Sequence, residues 1–231
     1  MTFDYSVITD NLDVFARGYL QTLTLLVLVI PISFVGGTAI ALARISGKRW
    51  LMVPARAFVE LVRNIPFLIQ IFLVFYGLPF YGIDLGAKTA GVLCLSLYGS
   101  AYLSESVRGA IEAVPRGQWE ASDALALSYT QKMRWIIAPQ LPAYLIPAAG
   151  NILITLSKET ALLSIITVPE LTYMAQSVIG KSFAPVEVFT LLAIMYWFTS
   201  EAISQVMKAL ERHFAKKALP PASQQSEDIL S

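Results

Sequence analysis

Charge is scarce in this 231-residue sequence. Asp, Glu, Lys and Arg together make up 14% of it, where a soluble domain carries about a quarter. With 56% hydrophobic residues and a mean hydropathy of +0.62, that scarcity excludes a soluble globular chain and points to an integral membrane protein. A net charge of +1 supplies no field for nucleic acid. The single cysteine, Cys94, lies in an apolar run, forms no internal disulfide and reads as a small apolar space-filler. The single histidine, His213, sits in a basic tail and reads as solvated; single-metal and triad readings fail for want of partners. No phosphate-cradling GxxxxGK[ST] loop occurs, so ATP is not hydrolysed here. There is no internal repeat, and none of the inverted symmetry of many secondary transporters. The first residues carry three acids (Asp4, Asp10, Asp13) before the first base, Arg17, a poor fit to a cleavable signal.

Long apolar runs fill most of the chain. The first spanning candidate, Tyr19 to Ala43, is long enough to cross with some tilt. Pro31, Gly36 and Gly37 interrupt it, as membrane helices permit, and Arg44, Lys48 and Arg49 follow. Trp50 to Arg63 alternates apolar and basic groups and reads as an interfacial lead-in. Asn64, Ile65 and Pro66 open a second span, about Ile65 to Phe80, with Gln70 its lone strongly polar residue. The third covers about Thr89 to Leu103. A fourth region, Leu141 to Val168, is irregular, with Pro142, Pro147, Gly150-Asn151 and Lys158-Glu159. After a polar connection, Pro169 to Pro185, the last span is about Val186 to Met207. The expected fold is therefore all-α with five spans. Of the 17 basic residues, 13 fall in segments that an N-out, C-in arrangement places inside, as the positive-inside rule requires. Residues 1–18 read as an external segment, 19–214 as the membrane domain and 215–231 as a flexible tail.

Between the third and fourth regions lies the polar block Gly117 to Gln140. It reads as a helix over roughly Gln118 to Leu127, an elbow, and a second helix over about Tyr129 to Ala138 that stops at Pro139. Ser128 and Gln131 have the spacing of a capping box. The block resembles the EAA signature of ABC-importer permeases: Glu120-Ala121-Ser122 stands for E-A-A, Ala126 for the glycine and Ile136-Ile137-Ala138-Pro139 for I-x-L-P. Ser122, Ala126 and Ala138 depart from it but remain small. Alanine at 126 counts against a left-handed turn there. Arg63-Asn64-Ile65-Pro66 with Gln70 and Tyr76-Gly77-Leu78-Pro79 is similar to a stretch of polar amino-acid permeases of the histidine, glutamine, arginine and glutamate type. So are Ser100 to Glu105, Arg108 to Ile111, Gly117-Gln118, Gly150-Asn151, Lys158-Glu159-Thr160 and Val168 to Leu171. The resemblance covers about residues 12 to 214.

That resemblance implies a type I importer permease of the MetI-like fold, multi-pass in a bacterial inner membrane. It implies residues 117–139 as coupling helices on a pair of ATPase subunits, with Glu120, Ala121, Asp123 and Leu125 at the contact. A solute-binding protein delivers a polar amino acid, and a second permease chain, identical or homologous, completes the pathway. No cofactor, metal or catalytic residue is expected. The competing classes are an ion-coupled secondary transporter or channel, and a membrane scaffold that transports nothing.

Polar groups within apolar runs need partners. On that ground Gln70, Tyr102, Asn151 and Glu159 are candidate walls of the amino-acid pathway. Each has a structural alternative: a helix-to-helix bond for Gln70, an interfacial anchor for Tyr102, a kink cap for Asn151, and a structural pair with Lys158 for Glu159. Asn64 and Pro66 are expected to set the bend into the second span. Where relatives carrying basic amino acids place a carboxylate after Gly-Asn, this chain has Ile152, which argues against a cationic substrate.

Overall fold

The computed structural model describes residues 3–215. The described residues form helices joined by short turns and no strands. A bilayer leaves the backbone no water to bond, so spanning segments close their hydrogen bonds within helices. A short helix α1 (Ser6–Thr9) leads into α2 (Leu12–Ile45), which runs 34 residues through Pro31. Then come α3 (Arg49–Asn64) and α4 (Phe67–Phe72), the latter continued by a widened π turn (Leu73–Gly77) and a tight 3-10 turn (Leu78–Tyr81). Helix α5 (Ala87–Ala113) precedes the polar block, α6 (Arg116–Ala124) and α7 (Tyr129–Gln131), with a π turn over Lys132–Ile137. The chain continues through α8 (Leu141–Glu159), a 3-10 segment (Thr160–Ile166), α9 (Leu171–Ser182) and α10 (Pro185–Ala215).

Among the described residues, three helical stretches are long and apolar enough to cross a membrane: α2, Leu141–Ile166 and α10. Helix α3 and the Phe67–Tyr81 segment pass that test together, with a 109° bend between them, so the expected lead-in and second span meet in an elbow. Helix α5 is long enough but not among them. It carries Ser96, Gly99, Ser100 and Ser104, and it buries them against other helices instead of presenting them to lipid.

Small residues bring α2 and α5 close together. Ser33 Oγ donates to the Ser96 carbonyl at 3.3 Å, and a Cβ on Gly37 would stand 2.8 Å from Leu103 Cβ. Backbone approach of this kind is what holds helices together where no hydrophobic force acts between them. Beside this contact, Leu25, Val29, Phe67, Ile71, Leu95, Leu156 and Leu163 form the main core. A second cluster (Phe15, Leu171, Ala175, Val178, Val188, Leu192) ties the start of α2 to α9 and α10. A third (Ala41, Val107, Ile111, Val114, Ile137) seats the polar block on the ends of α2 and α5.

The fourth region is more regular than its composition suggests. Pro142 occupies the first turn of α8, where its missing N–H costs nothing, and the helix continues through Pro147 to Glu159. Gly150 marks close packing: a Cβ there would lie 3.3 Å from Met207 of α10. The irregularity comes later, in the 3-10 segment and at Thr167, whose φ is +64°. The polar connection after it holds α9, capped by Glu170, which accepts from the Thr172 and Tyr173 amides at 3.0 and 2.7 Å. Residues 216–231, most of the expected flexible tail, lie outside the described residues.

Gly37→Leu would force α2 and α5 apart, and overpacking of this kind costs about 1–3 kcal/mol. The expected outcome is a lower melting temperature of the purified protein in detergent. An unchanged melt would contradict the close α2–α5 contact.

Candidate functional site

The site begins with the elbow. Pro66 disfavours helical geometry at the residue before it, and Ile65 is extended (φ −100°, ψ 130°). The break that Asn64-Ile65-Pro66 was expected to set is therefore present, and it leaves backbone carbonyls of α3 without helical partners. Gln70, one turn into α4, supplies them: its Nε2 donates to the Val62 carbonyl at 2.8 Å and the Ile65 carbonyl at 2.7 Å. Both amide protons are thus committed to the bend.

The elbow walls a cavity of about 380 Å³ lined by Arg63, Asn64, Pro66, Phe67, Tyr98, Tyr102, Glu159 and Leu162, among others. An aromatic ladder forms one side. Phe67 and Tyr98 rings are 4.9 Å apart, Tyr98 and Tyr102 4.6 Å, and the Arg63 guanidinium lies over Tyr102 at 5.5 Å from its centroid, within cation–π range. Glu159 closes the other side. Of the four candidate pathway residues, Tyr102 and Glu159 therefore meet in one cavity, while Gln70 and Asn151 do not line it. The Lys158–Glu159 pair is not formed among the described residues. Lys158 is exposed on a different face of α8 from half-buried Glu159, as a 100° step between neighbours dictates. Asn151, Thr155 and Lys158 fall at i, i+4 and i+7 and form an exposed polar stripe along α8. Asn151 caps no kink; its carbonyl accepts from Thr155 Oγ1 at 3.0 Å.

A second cavity, about 350 Å³, shares Arg63, Asn64 and Tyr102 with the first and adds Arg44, Val59, Glu60 and Glu105. Its floor is an ion cluster. Glu105 Oε1 accepts from Arg44 of α2 at 2.9 Å and Arg63 of α3 at 3.3 Å, while Oε2 accepts from Arg108 Nε and Nη2 at 3.0 and 2.8 Å. Arg108 also binds Glu112, with Nη1 at 2.6 Å from Oε2. One carboxylate so joins three helices. Sequence reading missed it: the Arg108 pairs at i+3 and i+4 were visible, but Arg44 and Arg63 lie 61 and 42 residues away. Glu105 stands beyond Leu103, where the expected third span ends. Burial alone would raise its carboxyl, but hydrogen bonds and charge from Arg108 and Arg44 outweigh that and hold it below its ordinary value.

The polar block is built as helix, elbow, helix, with shifted bounds: α6 ends at Ala124 instead of near Leu127, and the second helix opens into a π turn after Gln131. The Ser128–Gln131 capping box forms in full. The left-handed turn at 126 is present despite the alanine (φ +53°). The Ala126 amide there donates to the Asp123 carbonyl at 2.8 Å, and the Leu127 amide to the Ser122 carbonyl at 3.2 Å, a closure that satisfies the last carbonyls of α6. Ser122 is buried and its hydroxyl donates to the Trp119 carbonyl at 2.6 Å. Lys132 of the second helix pairs with Asp123 of the first. Glu120, Ala121 and Leu125 remain exposed, Leu125 to 70%.

An all-helical membrane protein with a helix pair broken between α3 and α4, a charged cavity beside the break and an exposed helical elbow is the architecture of a transporter's membrane component. The chain belongs to the family of binding-protein-dependent transport system inner membrane components, whose model matches residues 30–216. YckA of Bacillus subtilis strain 168, named a probable amino-acid ABC transporter permease, is 37% identical over 78% of this chain and 79% of its own length. GlnM of the same organism, named a probable glutamine ABC transporter permease, is 33% identical over 91% of this chain and 98% of its own. Among solved structures, one titled as an amino acid ABC transporter with histidines superposes with a TM-score of 0.87 at 32% identity, covering 92% of this chain and all of that one. A methionine ABC transporter chain at 23% identity and a TM-score of 0.68 shares the fold. The protein is thus a multi-pass inner-membrane permease with the expected MetI-like fold.

Because the folded Glu105 carboxyl is depressed, its contribution to stability is complete above the unfolded value, about 4.3 for a glutamate. It is lost as pH falls through the lower folded value. Glu105→Gln removes that dependence. The expected outcome is that the parent's melting temperature falls more steeply than the variant's on acidification below about pH 5; parallel profiles would show that the carboxylate is not held by the arginines.

Proposed function

We propose that this chain is the permease subunit of an ATP-driven importer for a polar amino acid. On this reading it crosses the membrane five times, N-out and C-in, with the α3–α4 elbow as the second pass and α5 as the third. The observation that carries the reading is the cavity in which Tyr102 and Glu159 face the elbow: a membrane-depth carboxylate without an ion-pair partner among the described residues is costly unless a cation visits it. An amino acid's ammonium is such a cation. The naming of YckA as a probable amino-acid permease and of GlnM as a probable glutamine permease supports the same substrate class. An ATPase dimer would supply the energy, a solute-binding protein the amino acid, and a second permease would cover the polar stripe of Asn151, Thr155 and Lys158.

Uptake into vesicles reconstituted with the chain, its ATPase and its binding protein tests this. Uptake that requires ATP supports it; uptake by the chain alone, driven by a proton or sodium gradient, would establish the secondary-transporter class instead. In the same assay Glu159→Gln keeps the shape and removes the charge, and is expected to cut the maximal uptake rate at least tenfold while the complex still assembles. Unchanged uptake would remove Glu159 from the pathway.

The exposed face of α6 and the residue that follows it are the proposed ATPase contact, with Glu120, Ala121 and Asp123 on the helix and Leu125 just beyond it. Asp123 is also held by Lys132, so it braces the elbow as well as facing outward. Glu120→Lys is expected to weaken co-purification of the ATPase while membrane insertion stays intact. Full transport with a normal complex would place the contact elsewhere.

A further inference from the structure

The proposed function assigns Glu159 to the ammonium of the amino acid and leaves its carboxylate without a named partner. We propose that Arg63 is that partner: it leaves Glu105 to bind the carboxylate of the transported amino acid. This rests on the amino-acid reading above.

Arg63 lines both cavities, and Glu159 faces the larger one with it. An acid and a base on one cavity match the two charges of a zwitterion. Arg63 is also the most loosely held guanidinium on Glu105. Its contact is 3.3 Å, against 2.9 Å for Arg44 and 2.8 Å for Arg108, and its side chain is 44% exposed against 12% and 34%. It shares Oε1 with Arg44, so its departure leaves that oxygen bonded and the Arg108 fork on Oε2 untouched. Of the three arginines on Glu105, Arg63 is the one that lines the larger cavity. The Tyr102 face, 5.5 Å from the guanidinium, gives it a resting place along the way. Glu60 lines only the smaller cavity and repels a carboxylate there, which favours binding on the Glu159 side. The planar fork of arginine suits a carboxylate in a way lysine's point charge does not.

The test measures binding to the purified permease–ATPase complex without binding protein, so that the binding protein's own selectivity plays no part. The probe is the radiolabelled amino acid that the parent complex imports fastest among the twenty, in equilibrium dialysis, with its α-carboxamide as competitor. The parent is expected to favour the acid over the amide by at least tenfold. Arg63→Gln should weaken acid binding about tenfold or more and bring the acid-to-amide ratio near one, and Arg63→Lys should fall between. Glu105→Gln, which frees Arg63, should bind the acid at least as tightly as the parent. Arg63→Gln retaining the parent's acid-to-amide ratio overturns the proposal. So does a loss of binding in Glu105→Gln equal to that in Arg63→Gln, because both would then act through the ion cluster's structure. Absence of binding by a parent complex that imports the amino acid overturns it too, and leaves the amino-acid reading standing. A parent complex that imports none of the twenty defeats that reading, and the proposal with it.

Discussion

A helix broken inside a membrane must find partners for the carbonyls it frees, and the rest of this structure depends on how Asn64, Ile65 and Pro66 meet that demand. Pro66 turns the chain, and Gln70 reaches back to bond Val62 and Ile65. With the backbone satisfied, the 109° bend can stand in a low-dielectric setting where each bare group costs several kcal/mol. The bend in turn sets Arg63, at the end of α3, and Phe67, at the start of α4, on the walls of one cavity. In a straight helix these two residues, at i and i+4, would stack on one face with no elbow between them. The most polar residue of the second span is thus spent on architecture, and the cavity's chemistry falls to its neighbours.

Two kinds of contact then fix the helices around the elbow. Where α2 and α5 run side by side, Ser33, Gly36, Gly37, Gly99 and Ser100 let the backbones approach. Where they emerge, charge takes over: Glu105 gathers Arg44, Arg63 and Arg108 from three helices. The cluster holds its members unequally: of the three arginines, Arg63 stands farthest from Glu105 and is the most exposed. The same end of α2 and α5 carries the apolar seat of the polar block, so the cavity floor and the exposed helical elbow share one support.

Much of this was legible in the sequence because the signals are local. The apolar runs gave the long helices, the S-x-x-Q spacing gave the capping box, and Asn64-Ile65-Pro66 gave the bend. The spacing of the EAA-like block gave the helical elbow, though not the π turn that follows Gln131, which has no sequence mark. Alanine at 126 misled in a specific way: propensity disfavours the left-handed turn, and the closing bonds from the Ala126 and Leu127 amides override it. Long-range placement was not legible. Nothing in the sequence separates Tyr102 and Glu159, which share a cavity, from Asn151, which faces outward on the next stripe, because that depends on which faces of α5 and α8 meet the elbow. The Glu105 cluster joins residues far apart in the chain, so no window of sequence contains it.

Aqueous accessibility of the cavity tests the central claim, that the elbow walls a charged cavity a zwitterion can reach from water. Single cysteines would be placed at Asn64, Tyr102, Leu162 and, as a lipid-depth reference, Val27, which is 72% exposed on α2, in a background where Cys94 is replaced by Ala. Labelling with a small membrane-impermeant thiol reagent in open membrane fragments reads which positions meet water. The account predicts that 64, 102 and 162 react and that the substituted Val27 does not. Uniform protection at 64, 102 and 162 would contradict it, because those residues would then lie in a closed or lipid-filled helix packing with no path for a zwitterion.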